Sequence, residues 1–131
     1  MKNTLNIKNI IPLIEDWWWL KDAYPEETDD FVRCVDVEGI LDYYECNGGL
    51  GIRPALYIVL DTDKPFEVGS HIHIGSKSWT ILDVTETPFD TELFVLCDTL
   101  LGEQCFDNAN NNWETSELKE WLETKGLKLI F

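Results

Sequence analysis

Apolar positions along this chain recur mostly at every second residue, the period of a strand, and only once at helical spacing. Residues 6–20 open on a short apolar run broken by Pro12, and 17–20 reads as a buried strand or turn. Asp22, Glu26, Glu27, Asp29 and Asp30 surround Pro25 and predict an exposed acidic loop over 21–30. Partial alternation predicts a strand over 31–41, and Asn47-Gly48-Gly49 predicts a turn over 43–50. A strand follows over 52–60, where Pro54 marks an edge position or a bulge. Residues 61–65 form a polar connector. Both arms of 68–74 and 79–84 alternate, which predicts a hairpin through 75–78, and 93–97 is a further short strand.

The helical signal is confined to the C-terminal end. Leu118, Trp121 and Leu122 stand at i, i+3 and i+4, giving one apolar stripe. Thr115 or Ser116 is placed to cap this helix, Glu117 favours its first turn, and Gly126 is placed to stop it near Lys125. Residues 127–131 then read as a final strand. The expectation is an α+β fold of mainly antiparallel strands with one C-terminal helix, a single domain over 1–131 without internal repeats.

Charge changes this picture more than composition does. The chain has 131 residues, 44% hydrophobic, with 6 Trp, 4 Tyr and 6 Phe, so it has the apolar content to fold. It carries 25 acidic against 10 basic residues, a net charge of −15, and the excess runs through both halves rather than a tail. Such a surface repels nucleic acid and anionic membranes and attracts basic proteins. No apolar run is long enough for a membrane span, and the first residues lack the apolar core of a signal peptide, so a cytoplasmic location is expected.

Few constellations of chemistry survive inspection. Cys34, Cys46, Cys97 and Cys105 lack C-x-x-C spacing and are expected as free thiols. His71 and His73 project from one strand face, but a metal site needs a third ligand and Asp83 is the nearest local candidate. A polar solvent face explains the pair more simply. Gly48-Gly49-Leu50-Gly51 lacks the lysine of a phosphate loop. Asn110 to Glu114 offers calcium-type oxygens, yet a loop leading into a helix needs the same residues. No nucleophile, acid–base pair, cofactor site or metal site is assigned. Three successive tryptophans cannot all face inward from an extended strand, so at least one of Trp17, Trp18 and Trp19 is expected in a groove or interface, and Arg53 is a candidate to stack on Trp18 or Trp19.

Trp18-Trp19-Leu20-Lys21 followed by Gly51-Ile52-Arg53-Pro54-Ala55 resembles the C-terminal half of an uncharacterised domain of Firmicutes and their phages, whose signature runs Trp-Trp-Leu-Arg, then Gly-Val-Arg-Pro-Ala. Ile74-Gly75, Trp79, Ile81-Leu82-Asp83 and the stretch from Trp113 to Leu122 resemble that family's N-terminal half. The resemblance spans 10–60 and 68–125 and implies a C-type-lectin-like fold, akin to formylglycine-generating enzymes, with its halves circularly permuted about a connector at 61–67. A swapped homodimer satisfies the same pairing. Lys21 stands where the family has arginine, and the cysteine pair that binds copper in formylglycine-generating enzymes has no counterpart, so oxidase activity is not implied. The expected function is therefore non-enzymatic. An acidic surface engages a basic protein, such as a nucleic-acid-binding effector, in the way a phage-encoded, anti-CRISPR-like inhibitor mimics nucleic acid. The partner-binding candidates are Trp17, Asp22, Glu26, Glu27, Asp29, Asp30, Glu114, Glu117 and Glu120. The alternative is a lectin-like domain that holds a glycan or peptide through tryptophans and the Asn108–Asn112 loop.

Overall fold

The computed structural model describes residues 11–24, 29–61 and 65–131. Strands take 43% of the described residues and one helical segment closes the chain, an α+β arrangement. Two compact units are present: Pro54–Thr99 is continuous in sequence, with 11–12 beside it, whereas the other joins Leu13–Arg53 to Leu100–Phe131.

The discontinuous unit holds β1 (Trp18–Ala23), β2 (Phe31–Val35), β3 (Leu41–Glu45), β4 (Gly49–Gly51) and β9 (Glu103–Cys105), in the sheet order β3-β2-β1-β4-β9. The segment expected as one strand over 31–41 is a hairpin instead. Asp36 breaks it: its Oδ1 accepts the N–H groups of Glu38 (2.9 Å) and Ile40 (3.0 Å), and Gly39 supplies the positive φ (80°) that the turn requires. The second arm, β3, then occupies much of what was expected as a turn over 43–50, and the turn itself shrinks to the residues before β4. Strand β1 pairs antiparallel with β2 and parallel with β4, where Trp18 meets Gly51.

Alternation along β1 sorts the tryptophans. Trp19 faces the core of this unit, edge-on to Phe106 at 5.7 Å, among Val32, Cys34, Cys46, Leu50, Ile52 and Leu118. Its indole N–H donates to the Gln104 carbonyl at 2.8 Å, so the buried ring keeps its one polar atom satisfied. Trp18 is also buried but points to the opposite face, where the Arg53 guanidinium lies 5.0 Å from its ring centre.

The C-terminal helix is longer than its stop signal suggests. Trp113–Thr115 form a single 3₁₀ turn, α1 spans Glu117–Trp121, a π-turn takes Leu122–Gly126, and α2 spans Leu127–Ile130. Ser116 caps it, its Oγ accepting the Lys119 N–H at 3.1 Å. Gly126 does not end the helix. It sits at ordinary helical angles (φ −62°, ψ −44°), buried, where a Cβ would lie 3.2 Å from Leu122 and 3.3 Å from Trp121. Glycine is there for close packing, and residues 127–130 are helical rather than the expected strand.

The continuous unit is an antiparallel sheet of β5 (Ala55–Leu60), β6 (His71–Ile74), β7 (Lys77–Glu86) and β8 (Thr91–Cys97), ordered β5-β8-β7-β6. The 52–60 strand starts only at Ala55, after Pro54, and β5 lies at the sheet edge, where a proline beside a strand is tolerated. The β6–β7 hairpin expected over 68–84 forms, but with a tighter turn than 75–78: Lys77 and Ser78 already pair with Ile74 and His73, leaving Gly75-Ser76 to reverse the chain. The buried side chains of this sheet include Trp79 and Ile81 from β7 and Leu93, Val95 and Cys97 from β8. A register shift between Ile81 and Asp83 inserts Leu82 into β7. Among the described residues no helix is long and apolar enough to cross a membrane.

Candidate functional site

The discontinuous unit concentrates the charge: its two segments contain seventeen acidic residues and six basic ones. Its acidic loops are organised by one buried carboxylate. Asp107, just after β9, accepts the N–H groups of Ala109 (3.0 Å), Asn110 (3.1 Å) and Glu117 (3.1 Å). Burial alone would raise this carboxyl, but the three N–H donors outweigh it and hold it below the ordinary aspartate range. Asp107 thereby binds the 107–112 loop to the first turn of α1.

The neighbouring amides are spent on the same loop. Asn110 Oδ1 accepts the Asn112 N–H at 2.9 Å, Asn112 Oδ1 accepts the Glu114 N–H at 3.0 Å, and Asn108 Nδ2 donates to Glu117 at 3.1 Å. Asn111 reaches further. Its backbone N–H donates to the Asp29 carbonyl at 2.8 Å and its side-chain amide to the Phe31 carbonyl at 2.9 Å. The loop before β2 and the loop before α1, about eighty residues apart in sequence, are therefore pinned side by side.

Of the predicted binding residues, Asp29 is exposed and Asp30 half-buried at this junction, and Glu114, Glu117 and Glu120 are exposed along the start of the helix. Lys119 meets Glu114 at 3.1 Å, and Cys105 Sγ lies 3.5 Å from Glu117. Asp22 is exposed on β1, whose end is fastened to β2 by Tyr24 N–H donating to the Phe31 carbonyl at 2.9 Å. Glu26 and Glu27 lie outside the described residues. Trp17 is half-buried, packed against the core and edge-on to Tyr44 at 6.3 Å.

Two groupings were not visible in the sequence pattern. Tyr24 stacks on Tyr43 (4.2 Å, 18° between planes), Phe31 meets Tyr43 edge-on at 5.5 Å, and Arg33 lies 5.5 Å over Tyr24. The Tyr43-Tyr44 doublet was the available signal, hidden by assigning 43–50 to a turn. In the continuous unit, the carboxylate beside His71 is Asp98, not Asp83: His71 Nδ1 lies 3.0 Å from Asp98 Oδ2, which also accepts Ser78 Oγ at 2.8 Å, while Thr80 donates to its other oxygen. The register Trp79↔Cys97 carries Asp98 to Ser78, a signal legible only once the strands are paired. Burial would raise the Asp98 carboxyl, but Thr80, Ser78 and His71 together lower it. His73 stands across from Ser78. Among the described residues no three or more of His, Cys, Asp and Glu are grouped to hold a metal ion.

All four cysteines are free thiols. No family model, curated protein or solved structure matches this chain.

Proposed function

We propose that this chain is a non-enzymatic binding protein, acting in the cytoplasm, whose acidic surface engages a basic protein, in the manner of an anti-CRISPR-like, phage-encoded nucleic-acid mimic. The observation that carries this reading is the junction made by Asn111, which gathers Asp29 and Asp30 beside the loop leading to Glu114 and Glu117. Fixed carboxylates on an ordered framework present charge without ordering it at the moment of binding, which favours affinity as well as steering. The effector's groove for nucleic acid is the chemistry that complements such a surface. The test is partner affinity at low and high salt, for the wild type and for a variant combining Asp29→Asn, Asp30→Asn, Glu114→Gln and Glu117→Gln. Binding should weaken steeply with salt and the variant should lose most of it. An affinity indifferent to salt would remove charge as the driver.

A second reading keeps the permuted, C-type-lectin-like scaffold, as a monomer or a swapped homodimer, with a glycan or peptide as ligand. What supports it is that the two signature strings meet within one unit: Trp18 pairs with Gly51, and Arg53 covers Trp18. Its ligand would bind near the Asn108–Asn112 loop, so calcium at millimolar concentration should raise the melting temperature. An unchanged melting temperature would leave this reading without its cofactor.

A further inference from the structure

Strand β5 is an outer strand whose six residues, Ala-Leu-Tyr-Ile-Val-Leu, carry no charge, and among the described residues it pairs with β8 alone. Outer strands are ordinarily protected by lysine, proline within the strand, or a bulge, and β5 has none of these. The direction of its backbone groups follows from one bond. Cys97 N–H donates to the Pro54 carbonyl at 2.8 Å, and the register sets Ala55 opposite Leu96. Antiparallel alternation then turns Leu56, Ile58 and Leu60 toward β8 and leaves the N–H and C=O groups of Ala55, Tyr57 and Val59 facing outward. Those same three residues have exposed side chains on one sheet face, Tyr57 at 72% and Val59 at 59%.

Beside them the sheet is aromatic and acidic. Tyr57 lies across from Phe94, ring centres 4.6 Å apart, and Phe94 lies across from exposed Asp83. Val59 lies across from exposed Glu92. Over 54–99 the chain has eight carboxylates against two lysines, Lys64 and Lys77. An added strand would run about 4.8 Å outside β5, and a side chain crossing small Val59 from it has about 10 Å to cover to the strand that carries Glu92. Arginine and glutamate together span that gap. A cation placed one row along stands against the Tyr57 ring.

We propose that β5 is the docking edge for an extended basic segment of the protein partner, which adds as a further strand and sets its cationic side chains against Tyr57 and Glu92. The proposal rests on the reading of a basic partner and names where one of its segments binds. Main-chain bonds to Ala55, Tyr57 and Val59 supply affinity, and the aromatic and carboxylate groups select charge. A second copy of this chain fits less well: its own β5 offers no cation, and its Asp61 and Glu92 would repel their equivalents.

The probe is a blocked hexapeptide of alternating arginine and valine, with a glutamate–valine peptide as control, titrated into the ¹⁵N-labelled full chain. The arginine peptide should saturate and shift the amides of Ala55, Tyr57 and Val59, while the control should not bind. Val59→Pro removes one outward donor and no bond to β8, so it should weaken the peptide by about tenfold while the β8 amides keep their shifts. Tyr57→Ala should weaken it in the same direction. Equal binding of both peptides, shifts confined to other strands, or dimerisation through β5 that Val59→Pro abolishes would overturn the proposal. Should the Asp29, Asp30, Glu114 and Glu117 variant lose the protein partner while Val59→Pro keeps it, the docking edge fails and the acidic-surface reading stands. Salt-sensitive partner binding that survives the Asp29, Asp30, Glu114 and Glu117 variant yet is abolished by Val59→Pro would instead sink the reading of that acidic surface and leave the docking edge standing, whereas binding insensitive to salt would sink both.

Discussion

Asp107 shows how one side chain governs a whole loop. Its carboxylate accepts three backbone N–H groups at a buried position, so Asp107→Ala should cost about 3 kcal/mol, read as a loss in urea-unfolding free energy. Because its folded pKa is depressed, this contribution is full above the unfolded value of about 4 and disappears as pH falls through the folded one. Stability measured from pH 6 down to pH 2 should therefore fall more steeply in the wild type than in the alanine variant. Cys34 makes a second test. Burial first, then Asp42 and Asp36, push its thiol up to about 12, so a thiol reagent at pH 8 should label Cys34 only after unfolding. The opposite facing of Trp18 and Trp19 was legible in the sequence, because strand parity depends on neighbours alone. Asp107 was not, since nothing local separates it from the other carboxylates until Glu117 N–H is brought to it.

Elements were legible where their signals lie within a few residues. The β6–β7 hairpin and the Ser116 cap are of that kind, and Ser116→Ala should lower stability by about 1 kcal/mol in thermal or urea unfolding. The segment 31–45 was misread because alternation continues through a turn that Asp36 and Gly39 build, and alternation alone does not mark a reversal. Gly126 was misread for the opposite reason. Glycine after an apolar stripe commonly ends a helix, but here the backbone continues through a π-turn at ordinary helical angles, and the glycine answers to packing, since a Cβ would crowd Leu122 and Trp121. Replacing both His71 and His73 by alanine should cost less than about 1 kcal/mol, since both are exposed and Ser78 and Thr80 still hold Asp98. Calorimetry on that double variant checks it, and a larger loss would give the imidazoles a structural weight that their exposure does not suggest.

At the scale of the whole molecule, a net charge of −15 opposes compaction, and salt screens that repulsion. The melting temperature at pH 7 should therefore rise more with sodium chloride than with an equal osmolality of an uncharged solute. The charge excess was plain from counting, whereas the division at 53/54 and 99/100 was not, because no proline- or glycine-rich linker marks either point. That division bears on the order of folding events. Within the continuous unit, Cys97 N–H is bonded to the Pro54 carbonyl; within the discontinuous one, Ile52 and Leu101–Gly102 exchange backbone bonds. A chain in which 54–99 is still unstructured must close a long loop before β4 can meet β9. Once β5 has paired with β8, the same closure resembles that of a short turn, and its entropic cost falls by about 2 kcal/mol. Early folding of the continuous sheet should therefore speed closure of the discontinuous unit. Leu93→Ala, which leaves a cavity at a buried position of that sheet, should slow the burial of Trp19 in stopped-flow refolding.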